Sequence, residues 1–88
     1  MKKLLFFMIP NCPYCNKAKK YISELKEEKE EYANIHIELC DEKSNSEFAE
    51  KYDYYYVPTF YVENKKLHEG AINKKQMAEV FDKFLQER

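Results

Sequence analysis

The chain has 88 residues, 44% of them hydrophobic, with 8 tyrosines and 6 phenylalanines but no tryptophan. That is enough for one domain spanning residues 1–88 with a core of its own, since a chain of this size buries somewhat more than about 60% of its unfolded surface. Lys and Arg number 15 against 16 Asp and Glu, a balance that gives no reason to expect nucleic acid or an anionic membrane as partner.

The opening, Met1-Lys2-Lys3 followed by the apolar run Leu4-Leu5-Phe6-Phe7-Met8-Ile9, superficially imitates a signal peptide. The run is short even for such a segment, and Pro10-Asn11-Cys12-Pro13 supplies neither a small-residue cleavage site nor a lipoprotein one. Residues 3–9 instead read as a central strand covered on both faces. No transmembrane span is expected, and the protein is expected in the cytoplasm, where an exposed Cys-x-x-Cys is more often catalytic than a structural bridge.

Cys12-Pro13-Tyr14-Cys15 follows that strand directly. Two cysteines with two residues between them on a strand-to-helix turn can close a small disulfide and reopen it. Pro13 suits the first position of a helix, which puts Cys12 at or just before the helix start and Cys15 one turn in. The unpaired N–H groups and positive dipole end there favour a thiolate, so Cys12 is the expected nucleophile and, of the two, the expected exposed one. Cys15 is the expected resolving thiol. Lys17 and Lys19 are more simply helix-surface residues than contributors to the site.

Cys15, Ala18, Ile22 and Leu25 recur at helical spacing, predicting an amphipathic helix to about Glu30 with the charged stretch 26–31 as its solvated end. Ile35, Ile37 and Leu39 alternate with His36, Glu38 and Cys40, the period of a half-buried strand. Ser44 with Glu47 suggests a capping box for a short helix through about Tyr52, with Phe48 and Tyr52 on one face. Strands are predicted over 59–63 and 66–69 with Asn64-Lys65 as the hairpin turn and Gly70 as the stop. Asn73 and Gln76 signal the cap of a last helix, whose inner face is Met77, Val80, Phe81, Phe84 and Leu85.

Cys12, Cys15, His36 and Cys40 have the composition of a zinc ligand set. His36 and Cys40 fall about 13 Å apart along one strand, too far to share a tetrahedral ion, so no metal site is expected. Cys40 reads as a small apolar residue, and His36 and His68 as surface or edge residues.

Cys12-Pro13-Tyr14-Cys15 resembles the active-site motif of the glutaredoxins, and Tyr52-Asp53-Tyr54-Tyr55-Tyr56-Val57-Pro58-Thr59-Phe60 resembles the loop of the wider thioredoxin family that ends in a cis-proline. The element order β-α-β-α-β-β-α is that of the thioredoxin fold, an α/β architecture with a four-stranded mixed sheet flanked by three helices. The resemblance implies a cis Val57–Pro58 bond and a substrate-contacting set of Pro13, Tyr14, Val57, Pro58, Thr59 and Gly70 around the cysteines. Tyr55 and Tyr56 are divided between core and groove. It also implies a dithiol oxidoreductase of cell redox homeostasis and electron transport, acting as a monomer on protein disulfides and needing no cofactor.

The electron donor is thioredoxin reductase or glutathione. Glutaredoxins typically carry a lysine three positions before the first cysteine and a Gly-Gly pair followed by an acidic residue. This chain has Ile9 and Gly70-Ala71-Ile72-Asn73, the latter closer to thioredoxins. Losing two charged contacts should weaken glutathione recognition, which favours thioredoxin reductase. A glutathione-dependent enzyme, and a non-catalytic binding module or iron–sulfur carrier, are the alternatives.

Overall fold

The computed structural model describes residues 2–87. β1 (Leu4–Met8) leads through α1 (Pro13–Glu28) and the one-turn α2 (Glu30–Ala33) to β2 (Ile37–Asp41). α3 (Ser46–Ala49) and a tyrosine-rich loop come next, then β3 (Thr59–Val62), β4 (Lys65–Glu69) and α4 (Lys74–Gln86). The strand order is β2-β1-β3-β4, with β1 parallel to β2 and antiparallel to β3, and β3 antiparallel to β4. This is the mixed four-stranded sheet that the element order implies.

All five residues of β1 are buried, because the strand is flanked on both sides and covered on both faces. Leu4, Phe6 and Met8 face a core shared with Cys15, Ala18 and Leu25 of α1 and with Met77, Val80, Phe81 and Phe84 of α4. Leu5 and Phe7 face the other way, where Cys40, Ala49 and Tyr61 are buried and Phe48, Tyr52 and Tyr54 pack on them. Phe7 is the hub of this second face, with Tyr52 and Tyr54 each 4.9 Å away between ring centroids and Tyr61 edge-on at 5.9 Å. Such pairs contribute about 0.5–1.5 kcal/mol each beyond their buried area.

Among the described residues four helices flank the sheet where three were expected. α1 stops at Glu28, Lys29 is extended (φ −135°, ψ 128°), and α2 begins a new turn. The charged stretch 26–31 is thus broken between two helices, and the residue that follows it is an anchor. Tyr32 is 1% exposed, its hydroxyl donates to Asp82 Oδ1 at 2.6 Å, and its ring lies 5.1 Å from that of Phe81.

The expected Ser44–Glu47 capping box does not form. Asn45 takes the cap position without a side-chain bond and α3 ends at Ala49. Ser44 instead donates to Asp41, whose other oxygen accepts from the Lys43 N–H. In β2 the alternation is also altered, because this is an edge strand: Leu39 is exposed and Cys40 is buried against the Phe7 side. The hairpin turns at Glu63-Asn64, one residue earlier than expected, with Glu63 at φ 54°. The final cap matches its expectation: Asn73 Oδ1 accepts from the Gln76 N–H at 2.7 Å, and Gln76 Oε1 accepts from the Asn73 N–H at 3.0 Å. Of the last helix's expected inner face, only Leu85 is exposed.

Candidate redox site

Phe7 is paired with Thr59, so the chain leaving β1 and the chain entering β3 meet at one end of the sheet. Cys12 and Cys15 come from the first, Val57 and Pro58 from the second. Asn11 has φ 60°, a left-handed conformation that asparagine tolerates better than most residues, and this turns the chain from strand to helix. Cys12 is then the N-cap of α1, Pro13 opens the helix, and no acidic residue occupies the first turn.

All three cysteines are free thiols. Cys12 is 7% exposed and Cys15 is fully buried. The expected exposure of Cys12 is thus corrected: it belongs to the same buried cluster as Cys15, although it remains the more accessible of the pair. The two thiols ionise in opposite directions. For Cys12 burial is the largest single influence and opposes the charge. The N–H of Cys15, the Cys15 thiol and the N–H of Tyr14 together outweigh it and hold the thiol below its ordinary value. As a neutral group Cys12 caps nothing, so these donors act on the thiolate. Burial pushes Cys15 up to about 11, reinforced by the Cys12 sulfur and relieved in part by the Ile9 N–H and the charge of Lys19.

The Val57–Pro58 bond is cis. Val57 packs against the cluster that contains Cys12 and Cys15, while Pro58 and Thr59 are fully buried. Thr59 Oγ1 donates to the Tyr56 carbonyl, and the Gly70 N–H donates to the Pro58 carbonyl at 2.8 Å. Thr59 and Gly70 thus brace the loop from beneath. Gly70 has φ 95°, where a side chain would be strained. Three tyrosines stand out at the surface: Tyr14 at 54% exposure, Tyr55 at 86% and Tyr56 at 70%. Tyr54 turns inward, packs on Phe7 and donates to Glu42 Oε2 at 2.9 Å.

Two residues of this region escaped the sequence reading. Asn11 was legible, since asparagine before a helix start is a usual choice for a left-handed turn. Glu69 was not: its carboxylate accepts the N–H groups of Tyr55 and Tyr56 across 14 and 13 residues of sequence. Cys40 lies on the opposite face of the sheet from the pair. Among the described residues, no group of three or more His, Cys, Asp or Glu side chains is placed to hold a metal ion. Nor is any described helix long and apolar enough to cross a membrane.

A four-stranded mixed sheet with a cysteine pair opening the first helix defines a thioredoxin-like domain. The family model for the Thioredoxin domain matches residues 3–82, and the chain belongs to that family. A solved structure described as that of a malarial protein has the same fold. It superposes with a TM-score of 0.72, covering 97% of this chain and 98% of that one, at 17% sequence identity. No curated protein matches the sequence.

Proposed function

We propose that the chain is a thiol-disulfide oxidoreductase that reduces protein disulfides through Cys12 and Cys15. The observation that carries this reading is the inequality of the two thiols within one helical turn. Cys12 is the more accessible and inclined to ionise, and Cys15 is enclosed and holds its proton.

In the first step the Cys12 thiolate attacks one sulfur of the substrate disulfide. The substrate S–S bond breaks as the Cys12–substrate bond forms, and the released thiolate takes a proton from water. Burial still holds the Cys15 pKa up, but the negative charge at Cys12 that had added to it is thereby consumed. Cys15 then loses its proton more readily, attacks the Cys12 sulfur, and releases the second substrate thiol as the Cys12–Cys15 bond closes. Two electrons and two protons from a reductant restore the dithiol.

The proposed donor is a thioredoxin reductase. Ile9 offers an apolar, partly buried side chain where glutaredoxins typically carry lysine, and Asn73 is committed to its cap. Each lost charged hydrogen bond costs about 1.5–3 kcal/mol, so two could weaken glutathione binding by about a hundredfold or more. The Cys-Pro-Tyr-Cys motif itself favours the second reading, a glutathione-dependent enzyme. A monomer acting in the cytoplasm completes the proposal. The test compares disulfide reduction driven by NADPH and thioredoxin reductase with that driven by NADPH, glutathione and glutathione reductase. Efficient turnover with millimolar glutathione and none with thioredoxin reductases would reverse the assignment.

A further inference from the structure

Glu69 ends β4, yet its carboxylate is directed at the backbone of another segment. Oε2 accepts the Tyr55 N–H at 2.6 Å and the Tyr56 N–H at 3.1 Å, and Oε1 receives Lys66 Nζ at 2.6 Å. The segment so held runs straight into Val57-Pro58 beside the cysteine pair. It is braced again by Thr59 at the Tyr56 carbonyl and by Gly70 at the Pro58 carbonyl. The two residues whose N–H groups are taken carry the most exposed aromatic rings of the chain. Backbone fixed this firmly beneath rings exposed this fully means that the backbone part of the cost of ordering a contact surface is met before a partner arrives.

We propose that Glu69 is a positioning residue that holds Tyr55 and Tyr56 as a docking platform for the polypeptide flanking the substrate disulfide. It thereby sets the preference for protein disulfides over small ones. This rests on the reductase reading above. The hydrogen-bond partners of the Glu69 carboxylate among the described residues are Tyr55, Tyr56 and Lys66 and neither cysteine, so it acts on substrate binding and leaves the sulfur chemistry alone. Lys66 completes the device: it and the two N–H groups hold the carboxylate in its charged form.

The test uses the whole reduced protein with dithiothreitol as donor. Wild type, Glu69→Gln and Glu69→Ala are compared on insulin and on 2-hydroxyethyl disulfide, with amide exchange of Tyr55 and Tyr56 followed by NMR. Removing the carboxylate should speed exchange at both amides by about tenfold. It should raise the KM for insulin by about fivefold with kcat within about twofold, and leave the small disulfide within about twofold. Glu69→Gln should fall between the other two, because an amide oxygen can still accept the two N–H groups. An unchanged insulin KM, or a parallel loss on both substrates, overturns the proposal. Should Glu69→Ala not fold, Glu69→Gln decides by the same criteria. Wild type inert on both substrates overturns the reductase reading and this proposal with it. Active wild type with unaltered Glu69 variants overturns the proposal alone.

Discussion

Phe7 stands directly opposite Thr59 in the β1–β3 pairing. From that pair the chain continues in one direction to Cys12 and in the other to Pro58, so two segments 45 residues or more apart in sequence share one end of the sheet. The cysteine pair and its neighbouring loop are positioned by the same ladder rung.

Cys12 should be the thiol that reacts first. Below its ordinary titration range it already has thiolate character, whereas Cys15 ionises only near 11. Alkylation by iodoacetamide at neutral pH should therefore label Cys12 alone, with a rate that levels off at lower pH than a free cysteine shows. Cys15→Ser should trap mixed disulfides at Cys12. Trapping by Cys12→Ser instead would invert the roles.

Gly70→Ala should destabilise the protein by about 1–2 kcal/mol, the usual cost of a left-handed conformation for a residue with Cβ. The added carbon would meet Tyr56 Cβ at 3.9 Å, an ordinary contact, so the cost is conformational and not steric. Urea denaturation measures it, and a loss as small as that of a surface substitution would refute the argument.

Tyr32→Phe should cost roughly 1–3 kcal/mol, because it deletes the bond to Asp82 while keeping the ring against Phe81. The tyrosine is pushed up to about 12 by its hydrogen bond to Asp82 first, then by burial and by the charges of Asp82 and Glu31. A pKa raised on folding means that the stabilisation is complete below about 10, the unfolded value, and is lost as pH rises toward 12. Denaturation midpoints measured across that window should fall in wild type and fall less in the variant.

Glu69 carries the opposite sign. Its carboxyl is held down to about 2 by the Lys66 hydrogen bond first and the Tyr55 N–H second. The clamp's contribution is present above about 4.5 and is lost as pH falls through 2. Amide resonances of Tyr55 and Tyr56 should move together over that range, later than those near an unpaired glutamate.

Cys40→Ala should retain full disulfide reductase activity at a stability cost of about 1 kcal/mol. Burial pushes this thiol up to about 11, so it should also alkylate slowly in the native protein. Stoichiometric zinc in protein purified without added metal would contradict its separation from the pair.

Most of what could be read in advance depends on neighbours in sequence. The Cys12–Cys15 turn, the Asn73–Gln76 cap and the inward residues of α1 and α4 are all set within one or two helical turns. The Ser44–Glu47 cap and the hairpin turn were local misreadings, but the other failures share a long-range origin. Tyr32, next to the charged stretch 26–31, gave no sign of its role because its partners, Phe81 and Asp82, lie about fifty residues on. Leu39 was assigned to the core by its alternation with Glu38 and Cys40. Only the position of β2 at the sheet edge decides that Cys40 is buried in its place. Glu69 had no local signature at all, since one carboxylate in a charged strand looks like any other.

The placement of Cys40 behind β1 has a consequence for oxidative damage. Three thiols allow three pairings in principle, but the sheet stands as a partition between Cys40 and the other two. Within the folded chain this leaves Cys12–Cys15 as the one intramolecular pairing expected on oxidation, so repeated oxidation and reduction should not drift into a scrambled state.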